Sequence, residues 1–203
     1  AVSALGWIYF IYFFSLGYGF GVSALAIAIA IIFRDVLTIP TALLCVVMFI
    51  FGMRLGLYLA TREKRSAEYK KILYGPDAAK KKPLFVVLTV WIFCALLYVG
   101  QVSPVAFYLA NAADGVAVNE LWAWIGAALM AIGVILEAAS DAQKKAAKKK
   151  NPKRYVDTGL YRIVRCPNYL GELVIWTGSL VVCIGASCSA WQWIVAAIGY
   201  IGI

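Results

Sequence analysis

The feature that most constrains this chain is the run over residues 4–33, thirty residues without one charged side chain. At about 1.5 Å per helical residue it would reach roughly 45 Å, more than the roughly 30 Å hydrocarbon core of a bilayer. It reads as one tilted or kinked span, or as an interfacial helix leading into a span. A secretory signal peptide fits poorly, because the run is too long and no basic segment precedes it. Apolar stretches of spanning length follow at residues 41–60, 84–109, 121–140 and 169–188, and a sixth begins at Trp191. The expected fold is an all-α polytopic transmembrane helical bundle of about six spans, forming a single domain over residues 1–203. Composition agrees, with 64% of residues hydrophobic and a mean hydropathy of +0.84, far from the roughly even split of a soluble domain. The absence of an initiator Met and the apolar stop at Ile203 suggest a chain that continues, above all at its C-terminus.

The net charge of +9 is concentrated between spans. Residues 61–83 hold eight Lys or Arg against Glu63, Glu68 and Asp77, and residues 144–165 hold nine. Between these loops lies a helical hairpin whose tip carries Asp114 and Glu120 and no base, so both basic loops fall on one face of the membrane, as the positive-inside rule requires. The basic residues therefore signal orientation and anion binding, not a nucleic-acid surface. The Lys-rich run 144–150 continues the helix before it. The five cysteines form no Cys-x-x-Cys pair, four sit in apolar segments, and there is no histidine. Haem ligation by His, His-containing zinc sites and a His general base are excluded, and no metal site is expected.

Polar residues inside apolar spans carry the remaining information. Pro167 suits the first turn of a helix, where its missing N–H has no intrahelical partner. From that start Asn168 and Glu172 share a face, and Glu172 lies about one turn inside an apolar span, where a carboxylate is costly unless partnered. Two readings stand side by side: a helix-end acid pairing with Arg162 or Arg165 at the surface, or a ligand-binding face. Upstream, Glu137, Asp141, Lys145 and Lys148 fall on one face. Two acids four apart weaken an isolated helix and call for external donors. A nucleotide has such donors in its ribose hydroxyls and carboxamide, and its phosphates suit the lysines, Arg162 and Arg165. The plain alternative is a helix end in which Lys145 pairs with Asp141. In the second span Arg54 and Tyr58 are four apart and Arg62 extends their face. Arg54 snorkels to the head groups only with difficulty, which points to an internal anion or carbonyl partner.

Three segments carry a resemblance. GLYRIVRCPNYLGE (Gly159 to Glu172), ILEAASDAQK (Ile135 to Lys144) and FGMRLGLYLATR (Phe51 to Arg62) resemble, in order, the G-L-W-R-x-x-R-H-P-N-Y-x-G-E, F-E-x-x-x-D-x-Q-K and W-x-x-R-L-G-x-Y-L-x-x-R segments of the membrane steroid 5-alpha-reductase-like family. The resemblance implies a bundle of six or seven helices, a cavity open to lipid for a sterol-like substrate, and NADPH entering from the side of the basic loops. It implies that Asn168 and Glu172 hydrogen-bond the nicotinamide end, and that Glu137 and Asp141 contact the ribose or carboxamide. Arg162, Arg165, Lys145 and Lys148 would then meet the phosphates, with Tyr161 and Tyr169 lining the pocket. The implied reaction is hydride transfer to an activated carbon–carbon double bond of a steroid or other lipid enone.

The chain departs from that family at three points. Cys166 stands where His is usual, residues 1–33 hold no acid to help polarise a substrate carbonyl, and the sequence stops at Ile203, where that family usually continues into a polar tail. Tyr58 and Arg54 are the remaining candidates for catalytic groups. Three functions stay open: an NADPH-dependent lipid double-bond reductase, a membrane methyltransferase using S-adenosylmethionine, and a non-catalytic reductase-like subunit of a larger membrane complex. The endoplasmic reticulum, a bacterial inner membrane and the mitochondrial inner membrane all suit the composition.

Overall fold

The computed structural model describes residues 2–7, 9–65 and 83–203. Among them the chain forms helices and no strand. Two short 3-10 turns, Val2–Trp7 and Phe10–Phe13, precede α1 (Leu16–Ile32). There follow α2 (Ile39–Arg65), α3 (Leu84–Ala113), α4 (Glu120–Lys150), the four-residue α5 (Leu160–Ile163), α6 (Pro167–Gly185) and α7 (Ala190–Ile201). Five helical segments among the described residues are long and apolar enough to cross a membrane, and the protein is an integral membrane protein. The sixth expected span appears as α7, whose 12 residues would reach about 18 Å, short of the roughly 30 Å core. The opening run is not one helix: α1 starts only at Leu16, and the Tyr98 hydroxyl holds the preceding turn by donating to the Phe13 carbonyl. The rest of the first basic loop, residues 66–82, lies outside the described residues.

Large apolar side chains such as Ile31, Ile50, Leu57, Phe93, Ile132 and Ile198 are exposed on the outside, where lipid replaces water as the solvent. With no hydrophobic force between lipid-bathed helices, close backbone approach must hold the bundle together. Glycines supply it at the two contacts that matter for the site. A Cβ on Gly133 would stand 2.6 Å from the Gly171 carbonyl oxygen, and one on Gly178 would stand 2.7 Å from that of Gly126. Helices α4 and α6 therefore touch backbone to backbone and run antiparallel. On α2, Gly52 and Gly56 flank Arg54, and a Cβ on Gly19 of α1 would stand 2.6 Å from the Gly56 nitrogen. The Ser23 hydroxyl of α1 crosses the same seam to donate to the Phe49 carbonyl at 3.1 Å.

Pro104 lies inside α3 and leaves the Gly100 carbonyl without its helical donor. The Ser103 hydroxyl takes that place at 2.8 Å, so the break costs no unpaired group in the bundle interior. The helix pairings put the C-terminal ends of α2 and α4 and the N-terminal ends of α1, α3 and α6 at one end of the molecule. The tip between α3 and α4 sits at the other, where Asn119 N–H donates to the Gly185 carbonyl at 2.8 Å. The second basic stretch thus belongs to the first of these ends, called here the basic end.

Candidate functional site

Pro167 starts α6 as the sequence requires, with Cys166 before it. Glu172 then projects into the bundle, because Gly171 lies so close to α4 that a Cβ there would stand 2.8 Å from the Glu137 nitrogen. The acceptor Glu172 Oε1 takes a 2.6 Å hydrogen bond from the Tyr18 hydroxyl of α1. That same hydroxyl accepts from Trp176 Nε1 at 2.8 Å. The Tyr18 ring packs on Tyr98, with centroids 5.2 Å apart, and on Phe51 at 6.2 Å. Arg162 and Arg165 are both exposed, so the hydrogen bond Glu172 makes is to a phenol inside the bundle, not an ion pair at the surface.

Arg54 crosses from α2 to α4. Its Nη2 lies 2.5 Å from Glu137 Oε1 and its Nη1 lies 2.9 Å from Asp141 Oδ2. One guanidinium therefore spans both acids, which explains how two like charges four residues apart persist on one helix. The expectation that Glu137 and Asp141 wait for external donors needs correction, since an internal base already meets both. Lys145 is exposed and makes no pair with Asp141. The expectation of an internal anion for Arg54 agrees with the geometry. Three buried polar atoms in this cluster, Glu137 Oε2, Arg54 Nε and Arg54 Nη2, make no hydrogen bond among the described residues, although Nη2 lies within ion-pair reach of Glu137 Oε1. Such orphans are rare in folded chains and call for a donor at the carboxylate and an acceptor at the guanidinium.

Next to the cluster, at the surface, lies a cavity of about 610 Å³ lined by Lys144, Lys148, Arg165, Tyr155, Tyr161 and Asp157, with Cys166 also at its wall. Helix α4 runs unbroken to Lys150, so Lys144 and Lys148 share the cavity face while Lys145 rotates away from it. The segment after α4 is folded back by Lys148, whose Nζ donates to the Pro152 and Arg154 carbonyls at 3.0 and 2.8 Å. Gln143 Oε1 accepts from Leu160 N–H at 2.9 Å. Gly159 sits at φ +61°, a backbone region that disfavours side chains. Tyr161 connects cavity and cluster. Burial first, then the Asp141 carboxylate, Tyr58 and Cys166, push its phenol up to about 12.

The site residues expected from sequence divide accordingly. Arg54, Glu137, Asp141 and Glu172 come together in the inner cluster, while Lys148, Tyr161 and Arg165 line the outer cavity. Asn168 is half-buried one turn before Glu172 on the same face, and Tyr58 is half-buried one turn beyond Arg54. Lys145, Arg162 and Tyr169 are exposed and do not line the cavity. Sequence reasoning missed Tyr18, Trp176, Lys144 and Tyr155. For Tyr18 a signal existed: a phenol between two glycines in an uncharged span, where a hydroxyl needs a partner.

A family model described as "Protein of unknown function (DUF1295)" matches residues 14–201 of the chain. No curated protein and no solved structure matches it.

Proposed function

The chain belongs to the DUF1295 family of membrane proteins, and from the geometry of its own site we propose that it is an NADPH-dependent reductase of a carbon–carbon double bond in a membrane-dissolved lipid enone. The observation that carries this reading is the juxtaposition, at one end of the bundle, of a basic cavity on the surface and a charged cluster with orphaned polar atoms just beneath it. The cavity volume lies in the range of nucleotide and drug-sized ligand sites, roughly 300–1,000 Å³. Lys144, Lys148 and Arg165 suit phosphates, and Tyr155 and Tyr161 offer rings beside them. Glu137 Oε2 wants a donor and Arg54 Nε an acceptor, and a carboxamide supplies both. Of these residues Arg54, Glu137, Lys144, Tyr161 and Arg165 lie within the three motifs similar to those of the steroid 5-alpha-reductase-like proteins.

In this reading a bound nicotinamide would supply a hydride to one carbon of the alkene, and a proton from solvent would complete the reduction at the neighbouring carbon. Lys144, Lys148 and Arg165 bind and orient the phosphate end, and Asn168 and Glu172 orient the ring end. The surrounding Phe51, Trp176 and Tyr98 exclude water from the reacting face. The test is binding of NADPH to the detergent-purified chain by calorimetry. Micromolar binding is expected, weakened by about 1–3 kcal/mol in Glu172→Gln and in Asn168→Ala, the value of a hydrogen bond to a buried or charged group. Full affinity in both variants sinks the site assignment.

One observation favours a second reading, a non-catalytic subunit that kept the bundle for its shape. Arg54 already spans Glu137 and Asp141, which is what an internally closed structural core would do. A folded protein that binds no nucleotide would decide for that reading.

A further inference from the structure

We infer that the inner cluster makes this site bind the oxidised, cationic form of a nicotinamide dinucleotide more tightly than the reduced, neutral-ring form, with Glu137 and Glu172 acting on the positive charge that appears as hydride leaves. The inference rests on the nicotinamide reading above and adds to it a direction of charge preference and the residues that set it.

Among the described residues the inner cluster contains three carboxyl groups, on Glu137, Asp141 and Glu172, and one cationic group, on Arg54. Its other members, Tyr18 and Trp176, are neutral hydrogen-bonding groups. Arg54 places one Nη on Glu137 and the other on Asp141. Glu172 accepts from a neutral phenol. Glu137 Oε2 is sealed from solvent with no donor among the described residues, on a side chain only 6% exposed. Among the described residues the cluster is therefore short of positive charge, inside an apolar bundle where charges act on one another more strongly than in water. The surplus bases lie elsewhere: Lys144, Lys148 and Arg165 sit in the outer cavity against the single acid Asp157.

The site is thus bipolar, basic outward and acidic inward. An oxidised nicotinamide dinucleotide is bipolar in the same sense, with anionic phosphates at one end and a cationic ring at the other. Reduction removes the ring charge and leaves the phosphates untouched. In a comparison of the two forms the cavity contacts cancel, and the difference reports the inner cluster alone. Tighter binding of the oxidised form also lowers the potential of the bound couple, which makes the reduced form a stronger hydride donor. Carboxylates placed where positive charge develops stabilise the transition state more than the ground state, and only such differential interactions raise the rate of the chemical step.

The experiment is a pair of calorimetric titrations of the detergent-purified full chain, with NADP⁺ and with NADPH at one salt concentration. NADP⁺ is expected to bind about tenfold more tightly or better, each tenfold being about 1.4 kcal/mol. That ratio should shrink towards one in Glu172→Gln and in Glu137→Gln, which keep side-chain shape and remove charge. Lys144→Ala should weaken both forms and leave the ratio alone. If Glu137→Gln fails to fold, the ratio in the wild-type chain and in Glu172→Gln decides. Equal affinities, or tighter NADPH, overturn the inference while leaving the nicotinamide reading in place. Failure of both forms to bind sinks the reading, and the inference falls with it.

Discussion

The two ends of the bundle handle polar groups in opposite ways. At the end away from the basic stretch the charged residues Arg34, Asp35, Asp114 and Glu120 are all exposed, and the hydrogen bonds between helices run among neutral groups, although the buried Tyr108 hydroxyl has no partner among the described residues. Asn111 Nδ2 donates to the Ala186 carbonyl at 2.7 Å, and Gln192 Nε2 donates to Asn111 Oδ1 at 3.1 Å. Ser189 N–H and Gln192 Oε1 close a capping box at the start of α7, and the Ser187 hydroxyl reaches the Ala117 carbonyl at 3.0 Å. Amides buried with partners cost little. At the basic end the buried groups are charged and, among the described residues, the acids of the inner cluster outnumber its base, with three buried atoms of Arg54 and Glu137 making no hydrogen bond. Charges at membrane depth are expensive and are kept where they face partners or a cavity. The far end therefore shows what holds these helices together, and the basic end shows what is left over for a ligand.

The sharpest way to break this contrast is Arg54→Ala. It strands Glu137 and Asp141 in the interior, and removing one partner of a buried ion set costs about 3–5 kcal/mol. Thermal unfolding in detergent should show that loss. Adding Glu137→Gln and Asp141→Asn to the same protein should recover much of it, because a neutral set no longer needs the base. A change below about 0.5 kcal/mol, the range of ordinary surface substitutions, would mean that the two acids are not buried charges. The basic end would then be no different from the far one.

Asn111→Ala tests the far end and should cost less. It leaves the Ala186 carbonyl and Gln192 Nε2 short of partners, a penalty of about 1–3 kcal/mol for buried groups left unsatisfied. Nucleotide affinity, measured by the same titration, should not change. A lost affinity would show that the two ends are coupled and that the division between them is false.

Much of this was legible before the structure. Pro167 marked the start of α6, and the lysines after Asp141 continued α4, because both readings rest on local backbone chemistry. The opening run reads equally as one kinked span or as an interfacial helix leading into a span, since a uniformly apolar sequence has no period to show where a helix begins. The start at Leu16 depends on tertiary contacts such as Tyr98 with Phe13. The bond from Arg54 to Asp141 joins residues 87 apart in sequence, beyond the reach of any helical spacing. Counting charges would still have suggested it, with Arg54 the one base in the second span, Glu137 within the fourth and Asp141 just past its end. Lys145 was placed in the site because Glu137, Asp141 and Lys145 share a four-residue spacing. The cavity follows the three- and four-residue face through Asp141, Lys144 and Lys148 instead.

The smallest expected effect on stability separates the outer cavity from the cluster beneath it. Lys148 is a poor choice for this test, since its Nζ already holds the Pro152 and Arg154 carbonyls and its loss would release the turn that walls the cavity. Lys144 is exposed and lines the same space. Lys144→Ala should leave unfolding within about 0.5 kcal/mol of wild type while weakening nucleotide binding by about 0.2–1 kcal/mol, the usual worth of an exposed charge pair. The weakening should fade as salt is raised, because exposed charges are screened over about 10 Å at 0.1 M ionic strength. A large loss of stability would make Lys144 part of the fold, and the surface cavity would then belong with the far end as architecture. A loss of binding alone, erased by salt, assigns the cavity to the ligand's anionic end and leaves the inner acids as the part of the site that reads the other end.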